Sequence, residues 1–291
     1  MTESIYTTTN QVTEKRKVSV NSVLKILGVS SSGYYSWKNR VSSEQEKRKK
    51  AIKIEIAKIY NESYQIYGAP KITSILQSRG HIISEKTVGN YMREEGIKAI
   101  WVRPYIRTTI DPDFDIKLKN ILDRDFNPTA PDTVWVTDIT YVHTLEGFIY
   151  LTSVMDLFSR KIIGWHVSDS LATEHVIKAI EKAKANRELS HPIIIHSDRG
   201  CQFVSKSYIE ATPAGQYIRS YSKKGNPWDN ACIESFHALI KREWLNRFVI
   251  KNLKHGHELI FEYLEAFYNT VRIHGHCGMT SPFDFEQNFA S

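Results

Sequence analysis

Residues 133–144 read Thr133-Val134-Trp135-Val136-Thr137-Asp138-Ile139-Thr140-Tyr141-Val142-His143-Thr144. β-Branched and aromatic residues dominate, so the stretch is expected to form a strand. Asp138 does not match its neighbours. A carboxylate in mid-strand, between apolar side chains, is costly unless something compensates its charge. A bound cation does so, which makes Asp138 the first candidate for a functional site.

Downstream, Phe148 to Phe158 and Lys161 to Val167 read as two more strands, with turns at Glu146-Gly147 and Ser159-Arg160. The three should form an antiparallel meander. Thr173 to Glu188 places Val176, Ile177, Ile180 and Ala183 on one helical face. Ile193-Ile194-Ile195 is an unalternating apolar strand, as in the middle of a sheet, and it runs into His196-Ser197-Asp198. A helix over Ser205 to Glu210, a strand over Ile218 to Ser222 and a turn at Gly225-Asn226-Pro227 follow. A long helix is expected from Asn230 to Phe248, capped by Asn230 with help from Asp229, and carrying Glu234 in its first turns. This order of elements is that of a ribonuclease H-like domain: an α/β fold with a mixed five-stranded sheet, expected over 131–291 with a helical extension at its end.

In such a sheet the first and fourth strands are neighbours. Asp138 and Asp198 can then point at one spot, Asp198 from a strand tip where open α/β sheets place ligands. Three converging carboxylates repel one another without cations. Their hard oxygens suit Mg²⁺ or Mn²⁺, and two such ions serve in-line displacement at a phosphodiester. No side-chain nucleophile is needed. Asp156, beside Ser159-Arg160, is expected to organise a turn, and Trp228 to fill a core. Arg199, Lys223 and Lys224 flank the acids in loops and are expected to reach phosphates. His255, His257, His274, His276 and Cys277 lack the paired spacing of a zinc finger.

Upstream the composition changes. Residues 1–110 hold 19 Lys and Arg against 9 Asp and Glu, whereas the remainder holds 20 against 23. A basic front on a nearly neutral back suits a polyanion-binding region joined to something else. The first dozen residues are polar, rich in Thr, and expected to be poorly ordered. Val20, Val23, Leu24 and Leu27 then fall on a helical stripe, Gly28 stops it, and Ser30 caps a helix with Tyr34, Tyr35 and Trp37. This is one helix-turn-helix candidate, at 19–38. Charged residues Glu44 to Lys50 lead into a helix with Ile52, Ile56 and Ile59. A second candidate, at 69–95, has Ile72, Ile75 and Leu76, a turn at Gly80 and an N-cap at Ser84. Its last helix turns Val88, Tyr91 and Met92 inward and Lys86, Asn90 and Arg93 outward, residue types that contact phosphates and base edges. Pro104, Pro112, Pro128 and Pro131 fall in a stretch without periodicity, 101–132, with the linker itself placed at 111–130.

An apolar fraction of 41% with 11% aromatics excludes disorder as the main state. No apolar run reaches spanning length, and Met1-Thr2-Glu3-Ser4 opens no secretory signal. Three widely spaced cysteines make a disulfide framework unexpected and a reducing cytoplasm the expected home.

Between Asp138 and Asp198 lie 59 residues, and between Asp198 and Glu234 lie 35. With Trp135-Val136-Thr137-Asp138, Asp156-Leu157-Phe158-Ser159-Arg160-Lys161, His196-Ser197-Asp198-Arg199-Gly200, Lys224-Gly225-Asn226-Pro227-Trp228-Asp229-Asn230-Ala231 and Glu234-Ser235-Phe236, this resembles the D,D-35-E pattern of retroviral integrases and bacterial transposases. Tyr268-Asn269, Arg272 and Ser281-Pro282 continue the match, and Gly28-Val29-Ser30, Gly33-Tyr34-Tyr35 and Tyr67-Gly68 extend it forward. Over nearly the whole chain the sequence resembles the second-reading-frame transposase of the IS-three family of insertion sequences.

The resemblance implies that Asp138, Asp198 and Glu234 are the catalytic, metal-ligating triad, and that Lys241 contacts DNA near the cleaved end. It implies nicking at an element's terminal inverted repeats, strand transfer to target DNA, an oligomer on paired ends, and fusion or association with an upstream-frame product. The rivals are a structure-selective nuclease of the same fold and a non-catalytic, transposase-derived repressor. Pro213-Ala214-Gly215 and His274-Gly275-His276-Cys277-Gly278 depart from the family's pattern.

Overall fold

The computed structural model describes residues 2–16, 18–39, 43–100 and 118–290. They form two compact units, Met1–Lys58 and Ile59–Ser291. The first holds α1 (Thr2–Arg16), α2 (Val20–Ile26), α3 (Ser31–Lys38) and most of α4 (Glu44–Glu62). Helix α1 corrects the expectation of poor order at the start of the chain. Thr is a weak helix former, and tertiary packing overrides it here: Tyr6 is buried with Leu24 and Tyr34 in a small core. The Tyr34 hydroxyl donates to Asn10 Oδ1 at 2.9 Å. Thr9 and Thr13 turn their hydroxyls back onto the carbonyls of Ile5 and Thr9. The Ser30 cap is present, its Oγ accepting from Gly33 N at 3.3 Å.

In the second unit, α5 (Ala69–Ser78) packs on α6 (Glu85–Glu94). Ser84 caps α6 through Thr87 N. Ile72, Leu76, Val88 and Met92 are buried between the two helices, as their spacing predicts.

The sheet has the order β3-β2-β1-β4-β5, formed by β1 (Val134–Thr144), β2 (Gly147–Asp156), β3 (Ile162–Ser168), β4 (Ile193–Ser197) and β5 (Tyr217–Tyr221). The first three strands are an antiparallel meander, and β4 joins β1 and β5 in parallel. One face carries Trp135, Val154, Ile163, Ile193, Ile195, Tyr217 and Tyr221 onto α7 (Thr173–Ala185) and α8 (Lys206–Ala211). At Gly164 the strand passes so close to α7 that a methyl group would meet the backbone of Ala179 and Ala183. The opposite face of β1 receives α9 (Ala231–Glu243).

Helix α9 is shorter than the sequence suggests. Trp244 leaves helical geometry (φ −134, ψ −69), and a single 3₁₀ turn, Leu245–Arg247, follows. Then come α10 (Leu253–Phe261), a π-helical segment (Glu262–Tyr268) and α11 (Pro282–Ala290). This extension is bound to the sheet through polar side chains. Asn269 Oδ1 accepts from Ile162 N and its Nδ2 donates to Ile162 O, so the side-chain amide pairs with β3 as a strand would. Glu286 accepts from Ser159 Oγ, Lys161 Nζ and Arg187 Nη2. The two departures from the family pattern are ordinary connections here. Pro213 O accepts from Gln216 and Tyr217 N, entering β5, while Cys277 Sγ and His276 Nε2 reach Ser159 O and Phe158 O.

Of the expected linker, 111–117 lies outside the described residues, as do 101–110 before it. From Leu118 onward the chain is held on β5: Tyr221 N donates to Lys119 O, and Ser220 Oγ accepts from Ile121 N and Leu122 N. No helix among the described residues is long and apolar enough to cross a membrane.

Candidate active site

The placement of the acids follows from sheet register. Val134, Trp135 and Val136 pair with Ile194, Ile195 and His196 across the parallel β1–β4 ladder. Continued two residues, that register brings Asp138 level with Asp198, and the same parity turns both side chains to one face. The face is the one on which α9 lies. His237, one turn after Glu234 on α9, places Nδ1 3.5 Å from Asp138 Oδ2 and Nε2 3.2 Å from Ser153 Oγ. Ser153 is Asp138's cross-strand partner on β2. Asp138 and His237 are buried, whereas Asp198 and Glu234 are half-buried.

Asp198 sits one residue past β4 in a tight loop, where its Oδ1 accepts from Gly200 N at 2.9 Å. The strand below is fastened by His196, whose ring nitrogens lie 2.8 Å from Ser220 Oγ and 3.1 Å from Ser222 Oγ. Burial pushes His196 down to about 4, against the opposing charge of Asp229, so the ring is neutral at physiological pH. Lys241 lies two turns beyond Glu234, its Nζ 4.3 Å from the centre of the Tyr141 ring. Burial lowers the Lys241 ammonium from its usual range, and the charge of Asp138 opposes the shift.

The donor set suits a hard divalent cation in kind, with three carboxylates on adjoining elements. In position the set is open. Among the described residues no three His, Cys, Asp or Glu side chains stand close enough together to hold a metal ion.

Other expected residues take several roles. Arg199 donates from Nε to Ser222 O at 2.8 Å and from Nη2 to Leu118 O, tying two loops together. Lys223 and Lys224 are exposed, and Lys223 Nζ is 3.2 Å from Asp123. Lys86, Asn90 and Arg93 share the exposed side of α6, with Arg93 Nη1 3.1 Å from Asn90 Oδ1. Asp156 organises the turn after β2: its carboxylate accepts from Phe158 N and Asp132 N.

Two expectations are corrected. Asn230 makes no capping bond. Its backbone (φ −118, ψ 22), between a 3₁₀ turn (Pro227–Asn230) and α9, is not the extended geometry of a cap. Asp229 fixes this corner instead, accepting from Arg124 Nε, Asn120 Nδ2 and Lys223 N. Trp228 is 69% exposed rather than in a core, because the 3₁₀ turn points its side chain away from the sheet. The sequence signal for His237 is its position, three residues from Glu234 on a face defined by Glu234 and Lys241, which suits approach to the metal site or the DNA as well as ordinary packing.

A groove beside β3, lined by Trp165, Lys182, His257, Phe261 and Glu265 among others, takes in none of the three acids.

The chain is similar to known proteins along most of its length. The Integrase core domain family matches residues 128–227, a second Integrase core domain family matches 218–282, and the HTH-like domain family matches 46–105. That last range takes in α5 and α6. Among solved structures, the HTLV-2 integrase catalytic core domain in complex with magnesium (trimeric form) shares 16% identity at a TM-score of 0.43, over 54% of this chain and 98% of that one. The chain is 33% identical over 249 residues to the transposase for insertion sequence element IS904 of Lactococcus lactis subsp. lactis (strain IL1403), covering 86% of this chain and 98% of the relative. It is 33% identical over 273 residues to transposase InsF for insertion sequence IS3A of Escherichia coli (strain K12), covering 92% and 94%. Identity at this level, sustained through the helical front and the sheet alike, places the chain in the family of IS3 transposases.

Proposed function

We propose that the chain cleaves DNA at the ends of an insertion sequence and transfers the freed 3′ strand to a target phosphodiester, with Asp138, Asp198 and Glu234 holding Mg²⁺ or Mn²⁺. The observation that carries this is the β1–β4 register, which brings Asp138 level with Asp198 beneath the helix that bears Glu234. Two ions there would activate the attacking oxygen and stabilise the leaving one. The three acids must draw closer to do so, through the Asp198 loop and the first turn of α9.

The remaining roles belong to the chain's own side chains. His237, set between Ser153 and Asp138, holds the Asp138 carboxylate in orientation. Lys241, resting on Tyr141 beside Asp138, is placed to bind the phosphate at the cleaved end. Lys86, Asn90 and Arg93 grip duplex DNA from the exposed side of α6, with Lys223 and Lys224 adding phosphate contacts near the acids. The active species is a homo-oligomer on paired terminal repeats, joined by or fused to an upstream-frame product, and it works in the bacterial cytoplasm at the nucleoid.

The test is an assay of cleavage and strand joining on labelled element ends, with and without Mg²⁺, comparing wild type with Asp198→Asn. Both products should appear only in wild type with metal. Equal activity in the variant sinks the mechanism. Cleavage without joining favours a nuclease of the same fold, and binding without cleavage favours a repressor.

A further inference from the structure

Helix α6 and the acid-bearing helix α9 are fastened to one dock within the second unit. The turn before α5 is strained: Tyr64 (φ 54) and Gln65 (φ 67) are successive non-glycine residues in left-handed geometry. Contacts from the far end of α9 hold it there. The Tyr64 ring stands edge-on to Trp244 at 5.0 Å and to Phe267 at 5.3 Å, and Arg247 donates to Tyr64 O. Tyr67 is buried, its hydroxyl accepting from Ile273 N at 3.0 Å and donating to Val271 O at 3.4 Å.

The other end of the α5–α6 unit closes on the same turn. Ile100 N donates to Gln65 O, and the Tyr60 hydroxyl donates to Lys98 O. Trp244 directly follows α9, whose ten residues from Glu234 to Glu243 span about 14 Å. A rigid strut therefore runs from the proposed catalytic carboxylate to the base of the α5–α6 unit.

We propose that this dock is a spacing gauge, which rests on the functional reading above: it fixes the distance between the DNA gripped by α6 and the bond cut at Asp138, Asp198 and Glu234. Tyr67 and Arg247 are its positioning residues. They touch neither DNA nor metal, and they set where along the duplex the acids fall. Specificity for the cut site is then geometric, and separate from affinity for the recognised sequence.

The test uses the full chain and element-end DNA carrying zero to three base pairs inserted between the protein's footprint and the terminus. Wild type should move its cut with each insertion, keeping a constant distance from the footprint. Tyr67→Ala combined with Arg247→Ala should bind within about threefold of wild type and cut at several positions on every substrate, whereas Arg247→Lys, which can still donate to Tyr64 O, should keep a single position. Electron-spin distance measurement between labels at Asn90 and Ile218, in a background lacking the native cysteines, reads the dock without any reaction. It should give a narrow distribution in wild type and a broad one in the double variant. A broad distribution in wild type overturns the gauge, as does an unchanged cut pattern in a variant whose distribution has broadened. A narrow distribution with no cleavage by wild type overturns it through the catalytic reading instead.

Discussion

The ion pair at the end of α9 can be broken with a calculable result. Arg272 donates to Glu243 through Nε at 2.7 Å and Nη2 at 2.6 Å, and the Tyr263 hydroxyl adds a third bond to the same carboxylate at 2.7 Å. Both side chains of the pair are 6% exposed. Burial alone would raise the Glu243 carboxyl, but Arg272 outweighs it and holds the group below its usual range. Glu243→Gln keeps the shape and removes the charge, leaving a buried guanidinium uncompensated. Removing one partner of such a pair costs about 3–5 kcal/mol. That is a large part of the roughly 5–15 kcal/mol by which domains are stable. Arg272→Met should cost a similar amount, and the double variant should lose clearly less than the sum of the two single losses, since removing the second partner takes away the buried charge that the first leaves uncompensated. Urea unfolding of all four proteins at pH 7, compared through midpoints and slopes, reads this directly. A single-variant loss below about 1 kcal/mol, or strict additivity in the double variant, would refute the reasoning.

Lys241→Ala should weaken binding of element-end DNA and reduce the slope of log affinity against log salt by about 1, with little change in sequence preference; an unchanged slope in a fluorescence anisotropy titration removes Lys241 from the DNA. Gly164→Ala should destabilise the sheet by about 1–3 kcal/mol or more, because the new methyl would lie 2.6 Å from Ala183 N and 2.8 Å from its Cβ, with Ala179 O closer still. Gly256→Ala should cost less, both variants being read by thermal melts, since its methyl meets the end of the Ile149 side chain rather than backbone. His196 accounts for part of the acid sensitivity. Its folded pKa of about 4 lies below the ordinary histidine value of 6.5, so the unfolded chain binds more protons between those values. Stability present above pH 6.5 is lost as pH falls toward 4, by about 3 kcal/mol for this group. His166 and His274, also pushed down to about 4 by burial, steepen the same limb. His196→Gln should flatten, without abolishing, the fall in urea midpoint from pH 7 to pH 4.5; an unaltered fall would show that His196 is not buried neutral.

Strand alternation, turn residues and the run Ile193-Ile194-Ile195 are local signals, and they located the five strands within a residue or two of their observed ends. The caps at Ser30 and Ser84 were equally legible, because a cap is a bond between residues three apart. The candidate acids were readable too: Asp138 from its misfit with its neighbours, Asp198 from its place at a strand tip, and Glu234 from the 35-residue spacing. Less legible were α1, whose Thr-rich helix forms because Tyr6 finds Leu24 and Tyr34, and the environment of Trp228.

By itself, then, the sequence determined the order of elements, the alternation of faces and the residue types available to a cation, since these depend on periods of two and 3.6 along the chain. Only the tertiary structure decided what meets across long separations. Asp138 meets His237 and Ser153, Glu243 meets Arg272 beyond the π-helical segment, and Tyr67 meets the backbone at Val271 and Ile273. Each of those contacts joins elements whose relative placement depends on the packing of the whole second unit. No local period encodes such a placement. That packing sets α9 over Asp138 and ties its far end to the base of α5.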